Sequence, residues 1–323
     1  MRILNLKPQI ELRKIGDIPS PNGWSLVTRT VSLDGAGLFL FVRESAKAFV
    51  QATFEQGIGV FPKTRMDTSQ RFLLVSVNEA DRSNVELPPL DVTFPLIDMF
   101  PDGRLLVAGT RSRWRAEDDV DLNGIIIDPN TGEFARILLG DGIQRLAVDP
   151  LGRIWVAYFD EGIYGNFGWG SPGPSPIGSH GLVCFDSEGH ALWDFPFGDE
   201  YGPISDCYAL NVTPKDVFVY FYTEFPLCRI STDFSRAYWE PGLSGCHQMA
   251  TDGSRVLFSG QYDDPPDAAY LADVERGKRL SPKRFALTLP DGEVTKRGEL
   301  IGRGSGLHYF SENAWYRFEL SDL

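Results

Sequence analysis

An all-β fold, a six-bladed β-propeller with four-stranded antiparallel blades, is predicted by three observations. Hairpin signals recur along the 323 residues. The 33 glycines and 22 prolines are spread over the whole chain, as many turns would require. Segments with a 3.6-residue apolar period are almost missing. Glu44–Phe54 is the one stretch that suits a short helix.

The clearest repeat runs from Gly142 to Gly165. Ile143, Leu146, Ala147 and Val148 form an apolar run, and Asp149-Pro150-Leu151-Gly152 follows. Asp suits the first turn position, Pro fixes φ at the next, and Gly accepts the left-handed conformation. Ile154–Tyr158 then resumes with β-branched and aromatic residues. Pro150 breaks any helical reading of the window.

Five further hairpins centre on Asp34-Gly35, Asp102-Gly103, Pro214-Lys215-Asp216, Asp252-Gly253 and Gly304–Gly306. Most are followed by two more strands around turns such as DPNTGE and DSEGH. Four antiparallel strands in roughly 40–65 residues make one propeller blade. The last unit offers about three strands, and the Ile3–Ile15 stretch is expected to supply the fourth. An open propeller would leave a sheet edge exposed. Residues 1–323 therefore read as one propeller domain. Arg43–Leu87 is long and unassigned, and a blade hidden there would raise the count to seven.

The segment GRIWVAYFDEGIYG followed by GLVCFD resembles the blade signature of NHL-type, two-component-regulator and SMP-30-like propellers. The resemblance implies the fold. SMP-30-like lactonases hold a central metal with Glu, Asn and Asp on inner strands. Here blade one has no Glu at its first strand, and Asn211 is the only inner-strand Asn. The Gly-His and Trp-Asp pair of WD40 blades is missing as well.

Composition narrows the function. Lys and Arg total 31 against 44 Asp and Glu, for a net charge of −13. That argues against nucleic acid, which needs a phosphate-neutralising basic stripe, and it permits a cationic partner. No apolar run of about 18 residues suggests a membrane span. The N-terminus lacks the apolar core of a signal peptide, so a cytoplasmic location is expected. Cys184, Cys207, Cys228 and Cys246 form no CxxC pair and read as buried thiols.

Blade geometry predicts where a site lies. Inner strands start at one face, and the loops between second and third strands return to it. Those loops are long at 109–124, 159–181 and 260–269, and long loops in compact domains are usually functional or disordered. They carry the aromatics Trp114, Tyr164, Phe167, Trp169 and Tyr262, with Tyr208 on an inner strand. These suit contact with a protein or peptide; the alternative is that they pack on one another to pin the loops. Acids gather there too, including Glu117, Asp118, Asp119, Asp121, Asp160, Glu161, Asp263, Asp264 and Asp267. Asp119, Asp121 and Asn123 match the first half of a calcium loop, but position 12 is Asn130 instead of Glu. They are weak candidates for Ca²⁺, and otherwise a solvated turn.

Arg145, Asp206 and His247 begin three consecutive inner strands. Around one opening they could act as clamp, base and acid, or fill the channel as a hydrated network. The leading expectation is a non-catalytic binding or scaffold propeller that recognises a protein or peptide through its long-loop face. The rival is a lactonase, hydrolase or lyase with its site at the channel mouth.

Overall fold

The computed structural model of the chain describes residues 8–79 and 81–323. The Ile3–Lys7 part of the N-terminal stretch thus lies outside the described residues. Six antiparallel meanders account for nearly all the regular structure, and they define a six-bladed β-propeller.

The chain divides into two compact units, one of Pro19–Cys207 and one of the segment ending at Ile18 together with Tyr208–Leu323. The first holds three blades. Blade 1 has strands Trp24–Val31, Gly37–Arg43, Phe72–Val77 and Arg82–Glu86. Blade 2 has Pro95–Met99, Leu105–Gly109, Gly124–Ile127 and Phe134–Ile137. Blade 3 has Ile143–Val148, Ile154–Tyr158, Leu182–Phe185 and Ala191–Asp194. Arg43–Leu87 therefore contributes the outer half of blade 1 and an insertion, and hides no seventh blade.

The second unit holds the rest, apart from the first two residues of blade 4. That blade has Asp206–Val212, Val217–Tyr222, Leu227–Ile230 and Arg236–Trp239. Blade 5 has Gln248–Thr251, Arg255–Ser259, Ala268–Asp273 and Lys283–Thr288, with Gln9–Glu11 added as a parallel fifth strand. Blade 6 has Glu299–Arg303, Gly306–Phe310 and Ala314–Glu319, and Arg13–Asp17 pairs antiparallel with the last of these as the fourth strand.

Second strands are buried on both faces and read as continuous apolar runs. Leu38–Val42, Leu105–Ala108, Ile154–Tyr158 and Val217–Phe221 are all buried. Such strands gain about 25 cal/mol for each Å² of apolar surface removed from water. Inner strands carry polar residues that lock neighbouring blades. Asp98 of blade 2 accepts Val148 N–H of blade 3 at 2.7 Å. Asn211 of blade 4 donates to Met249 O and Gly304 O, and accepts Gly304 N–H at 2.8 Å. Asp98 is thus a fixed joint of the fold.

All four cysteines are free and buried. Burial pushes the Cys184 and Cys246 thiols up to about 12. His308 is buried, accepts the Trp315 indole N–H on Nδ1, and is held neutral by desolvation and the nearby Arg317 charge, with its pKa lowered to about 3. Helix is scarce. Glu44–Ala46 is 3₁₀ and Lys47–Val50 is α, within the one stretch expected to be helical. Asp160–Tyr164 forms an α-helical turn, and Ile177–His180, Val274–Arg276 and Leu320–Asp322 form 3₁₀ turns, none of which the sequence signalled.

Candidate functional site

Long loops converge in the first unit because the blade meander returns them to one end. The 142–165 repeat shows this directly. Ile143, at the start of the inner strand, pairs with Tyr158 at the end of the second. Phe159 N–H then bonds Gly142 O. Arg145 and the helical turn Asp160–Tyr164 consequently share that end.

Here the structure brings Arg145, Asp160 and Asp206 within electrostatic range of one another. The Asp206 pKa is raised to about 6, first by desolvation, then by the like charge of Asp160, against the opposing pull of Arg145. Its buried Oδ1 has no hydrogen-bond partner among the described residues. Beside it the exposed Tyr164 donates its hydroxyl to Ser205 Oγ at 3.0 Å. His247, the third member of the proposed triplet, belongs to the other unit, where its ring Nδ1 lies 2.9 Å from Gly260 O.

The other long-loop residues of this unit bind each other. Arg111 is buried and forks onto Asp141, with Nε–Oδ1 and Nη2–Oδ2 both 2.8 Å, while its Nη1 reaches Glu161 at 2.6 Å. Asn166 donates to the same Glu161 carboxylate. The loops 109–124 and 159–181 are thereby tied together. Phe167 and Trp169 are buried at this junction, as in the alternative where these rings pin the loops. Phe167 lies under the Arg111 guanidinium, 4.4 Å away, and Trp169 donates its indole N–H to Ser112 O. The half-buried Trp114 donates its backbone N–H to Phe167 O. A long loop needs a small core of its own, and these rings supply it.

The insertion in blade 1 joins the same assembly, which no sequence signal had marked. Phe54 and Phe61 of its hairpin pack on Phe167 at 6.2 and 6.4 Å. Thr64 donates to Asp121 at 2.6 Å. Asp121 also takes Arg115 at 2.9 Å and Arg65 at 3.8 Å, and Asp119 takes Arg115 at 3.1 Å. Asn123 spends its amide on Gly109 O, Gly140 O and Leu139 N–H. The partial calcium motif thus has its oxygens turned onto arginines and backbone amides.

In the second unit, Tyr208, Tyr222, Phe225 and Tyr262 form a rosette. It sits where the inner strands of blades 4 and 5 start and their second-to-third loops return. Phe225 meets Tyr208, Tyr222 and Tyr262 edge-on, with centroids 5.1, 5.6 and 6.1 Å away. The hydroxyls of Tyr208 and Tyr262 bond each other. Fully buried Tyr220 stacks beneath Phe225 and anchors it by donating to Leu243 O. Tyr262 is 51% and Tyr222 43% exposed, so the rosette presents aromatic surface outward. Gly245 lies under the Tyr262 ring, and a Cβ there would come within 2.5 Å of it. Near the exposed His247, buried Ser259 Oγ and Gln261 Oε1 have no hydrogen-bond partner among the described residues. Tyr208 and Tyr262 were legible as binding candidates; Tyr222 and Phe225 were missed, because they sit at a strand end and in a four-residue loop.

The only group of three or more potential metal ligands found among the described residues is Asp186, Glu188 and His190, in a surface turn of blade 3. Asp186 there already accepts the Glu188 and His190 backbone N–H groups.

The fold and these clusters define a six-bladed β-propeller with polar and aromatic groups at the loop-rich ends of its blades. No protein-family model matches the chain, and no curated protein matches it. Solved structures do. The virginiamycin B lyase of Staphylococcus aureus aligns at 10% identity and a TM-score of 0.50, over 97% of this chain and 100% of that one. A calcium-binding protein, regucalcin, from Agrobacterium tumefaciens aligns at 10% identity and 0.49, over 98% and 95%. The propeller domain of the Trilobed protease of Pyrococcus furiosus aligns at 14% and 0.47, over 92% and 83%. At such identities a likeness speaks for the fold alone. No helix among the described residues is long and apolar enough to cross a membrane.

Proposed function

We propose that this chain is a non-catalytic binding propeller that takes a protein or peptide segment on its loop-rich end. The observation that carries the reading is the rosette of Tyr208, Tyr222, Phe225 and Tyr262, four rings held edge-to-face with two of them well exposed. Rigid aromatic surface gives large contact area at low entropic cost and dominates interface energetics. Ring faces also attract Lys and Arg. Asp263, exposed next to Tyr262, and the net charge of −13 favour a basic segment. A random-peptide phage library panned on the full chain tests this. Selected peptides are expected to be rich in Lys, Arg and aromatic residues, and to lose at least about tenfold in affinity to Tyr222→Ser and Tyr262→Ser proteins. Peptides that bind the double variant as well as the parent would refute it.

A second reading rests on Asp206. A carboxyl whose pKa is raised to about 6, with a buried unpartnered oxygen and Arg145 nearby, has the properties of a general base poised near neutral pH. The chain would then be a lactonase, hydrolase or lyase, with Arg145 steadying an anionic substrate group. A panel of lactones and esters assayed between about pH 5 and 8 is the check. The expected activity rises through pH 6 and disappears in Asp206→Asn. Turnover that survives this replacement would remove Asp206 from any catalytic role.

A further inference from the structure

We infer that the first unit carries a binding pocket for a phosphomonoester, ringed by Lys63, Arg65, Arg113 and Arg115. This pocket is independent of the rosette and of Asp206. It is a cavity of about 330 Å³ between the blade 1 insertion and the 109–124 loop, with Phe54 as one wall. Its lining brings those four cations against a single carboxylate, Asp67. In a chain where acids outnumber bases 44 to 31, composition alone would give the opposite sign.

Arg113 is the key residue. Its guanidinium has no carboxylate within 4 Å among the described residues, and its buried Nε has no hydrogen-bond partner. The rings of Phe54 and Phe167, 5.8 and 5.0 Å away, hold it in place. A buried donor on a permanent cation without a partner is costly, and an oxyanion would satisfy it. The other cations can serve the same anion. Lys63 is 2.7 Å from Asp67, whose side chain is 84% exposed, so water can readily take over that pairing. Arg65 is only loosely held, 3.8 Å from Asp121. Arg115 is anchored from behind by Asp119 and Asp121, which fixes its position.

The chemistry of the ligand follows from charge and size. Arg113 carries charge that no carboxylate offsets, and Lys63, Arg65 and Arg115 stand beside it with carboxylates of their own, a set that suits a strong oxyanion such as a phosphate monoester, which carries about −1.5 to −2 at neutral pH. Arginine forks match phosphate oxygens in pairs. The cavity exceeds one phosphate group, and the Phe54 wall would meet the organic part of an ester.

Calorimetric titration of the full chain with inorganic phosphate, O-phosphoserine, phenyl phosphate and a short phosphoserine peptide tests the inference. The esters are expected to bind saturably and to weaken as salt is added. Arg113→Gln is expected to lower their affinity at least about tenfold, the loss of one hydrogen bond to a charged group. Arg65→Gln, at an exposed position, is expected to weaken them while leaving the melting temperature unchanged. Tighter binding of the peptide than of phosphoserine identifies a phosphorylated protein as the source; equal binding identifies a free metabolite. No saturable binding of any ester, binding of inorganic phosphate alone, or esters that bind both variants like the parent would overturn it.

Discussion

At Asp206, the folded chain holds a proton up to about pH 6, whereas an unperturbed aspartate releases it near 3.8. Between those values the folded state binds more protons than the unfolded one. Stability from this group is therefore complete below the lower value and is lost as pH rises through the upper one. Asp206→Asn removes the penalty of an ionised, half-desolvated carboxylate. Its melting temperature is expected to exceed that of the parent at about pH 8 and to converge with it near pH 4. A difference that does not depend on pH would show that Asp206 is not desolvated as described. The sequence marked Arg145 and Asp206 by their place at inner-strand starts. It could not show that Asp160 would be brought near enough to raise Asp206, because that depends on a helical turn inside a Gly- and Pro-rich loop.

Among elements, the loops 109–124 and 159–181 act as one body, closed by the ion pair of buried Arg111 with Glu161 and by backbone packing at Gly168. That glycine has φ of +92°, and an added Cβ would stand 2.0 Å from the Trp114 carbonyl oxygen. Gly168→Ala combines left-handed strain with a backbone clash, so a cost of about 1–3 kcal/mol is expected. Limited proteolysis should then cut the 159–181 loop faster than in the parent. Unchanged cleavage would mean that the loop adjusts freely. The length of these loops was legible in the sequence, and so was the richness in aromatics. Which rings face inward was not: Phe167 is buried where Arg111, some 55 residues earlier, and Phe54, in another blade, come to meet it, and Trp169 where its indole reaches Ser112 O. Acidic residues were legible as a cluster but not as partners. Asp119 and Asp121 turn onto Arg115 within one loop and Glu161 onto Arg111 of another, and such loop pairings leave no periodic trace.

For the molecule as a whole, turn chemistry carried the fold. Asp-Gly and Asp-Pro turns mark the hairpin tips of several blades, and a period of about four strands between them is enough to count six. The blade 1 insertion resisted, since its short hairpin Thr53–Gln56 and Gly59–Pro62 breaks the repeat without a break in composition. The chain start had a further surprise in Gln9–Glu11, which lies parallel to Lys283–Thr288 before Arg13–Asp17 joins blade 6. Leu12, between the two strands, is fully buried.

That strap has a temporal consequence. Ile10 and its partner Thr288 are 278 residues apart in sequence. During synthesis the strap leaves the ribosome long before its partners, so blades 5 and 6 cannot seal their outer edges until Lys283–Thr288 and Ala314–Glu319 have been made. Closing so long a loop is also slow in free refolding. Pulse-labelled hydrogen exchange is expected to find the amides of Leu12 and Ala286, bonded to Thr288 O and Pro8 O, protected after those of Ile154–Tyr158. Early protection at Leu12 would mean that these two distant segments meet before the blades between them are built.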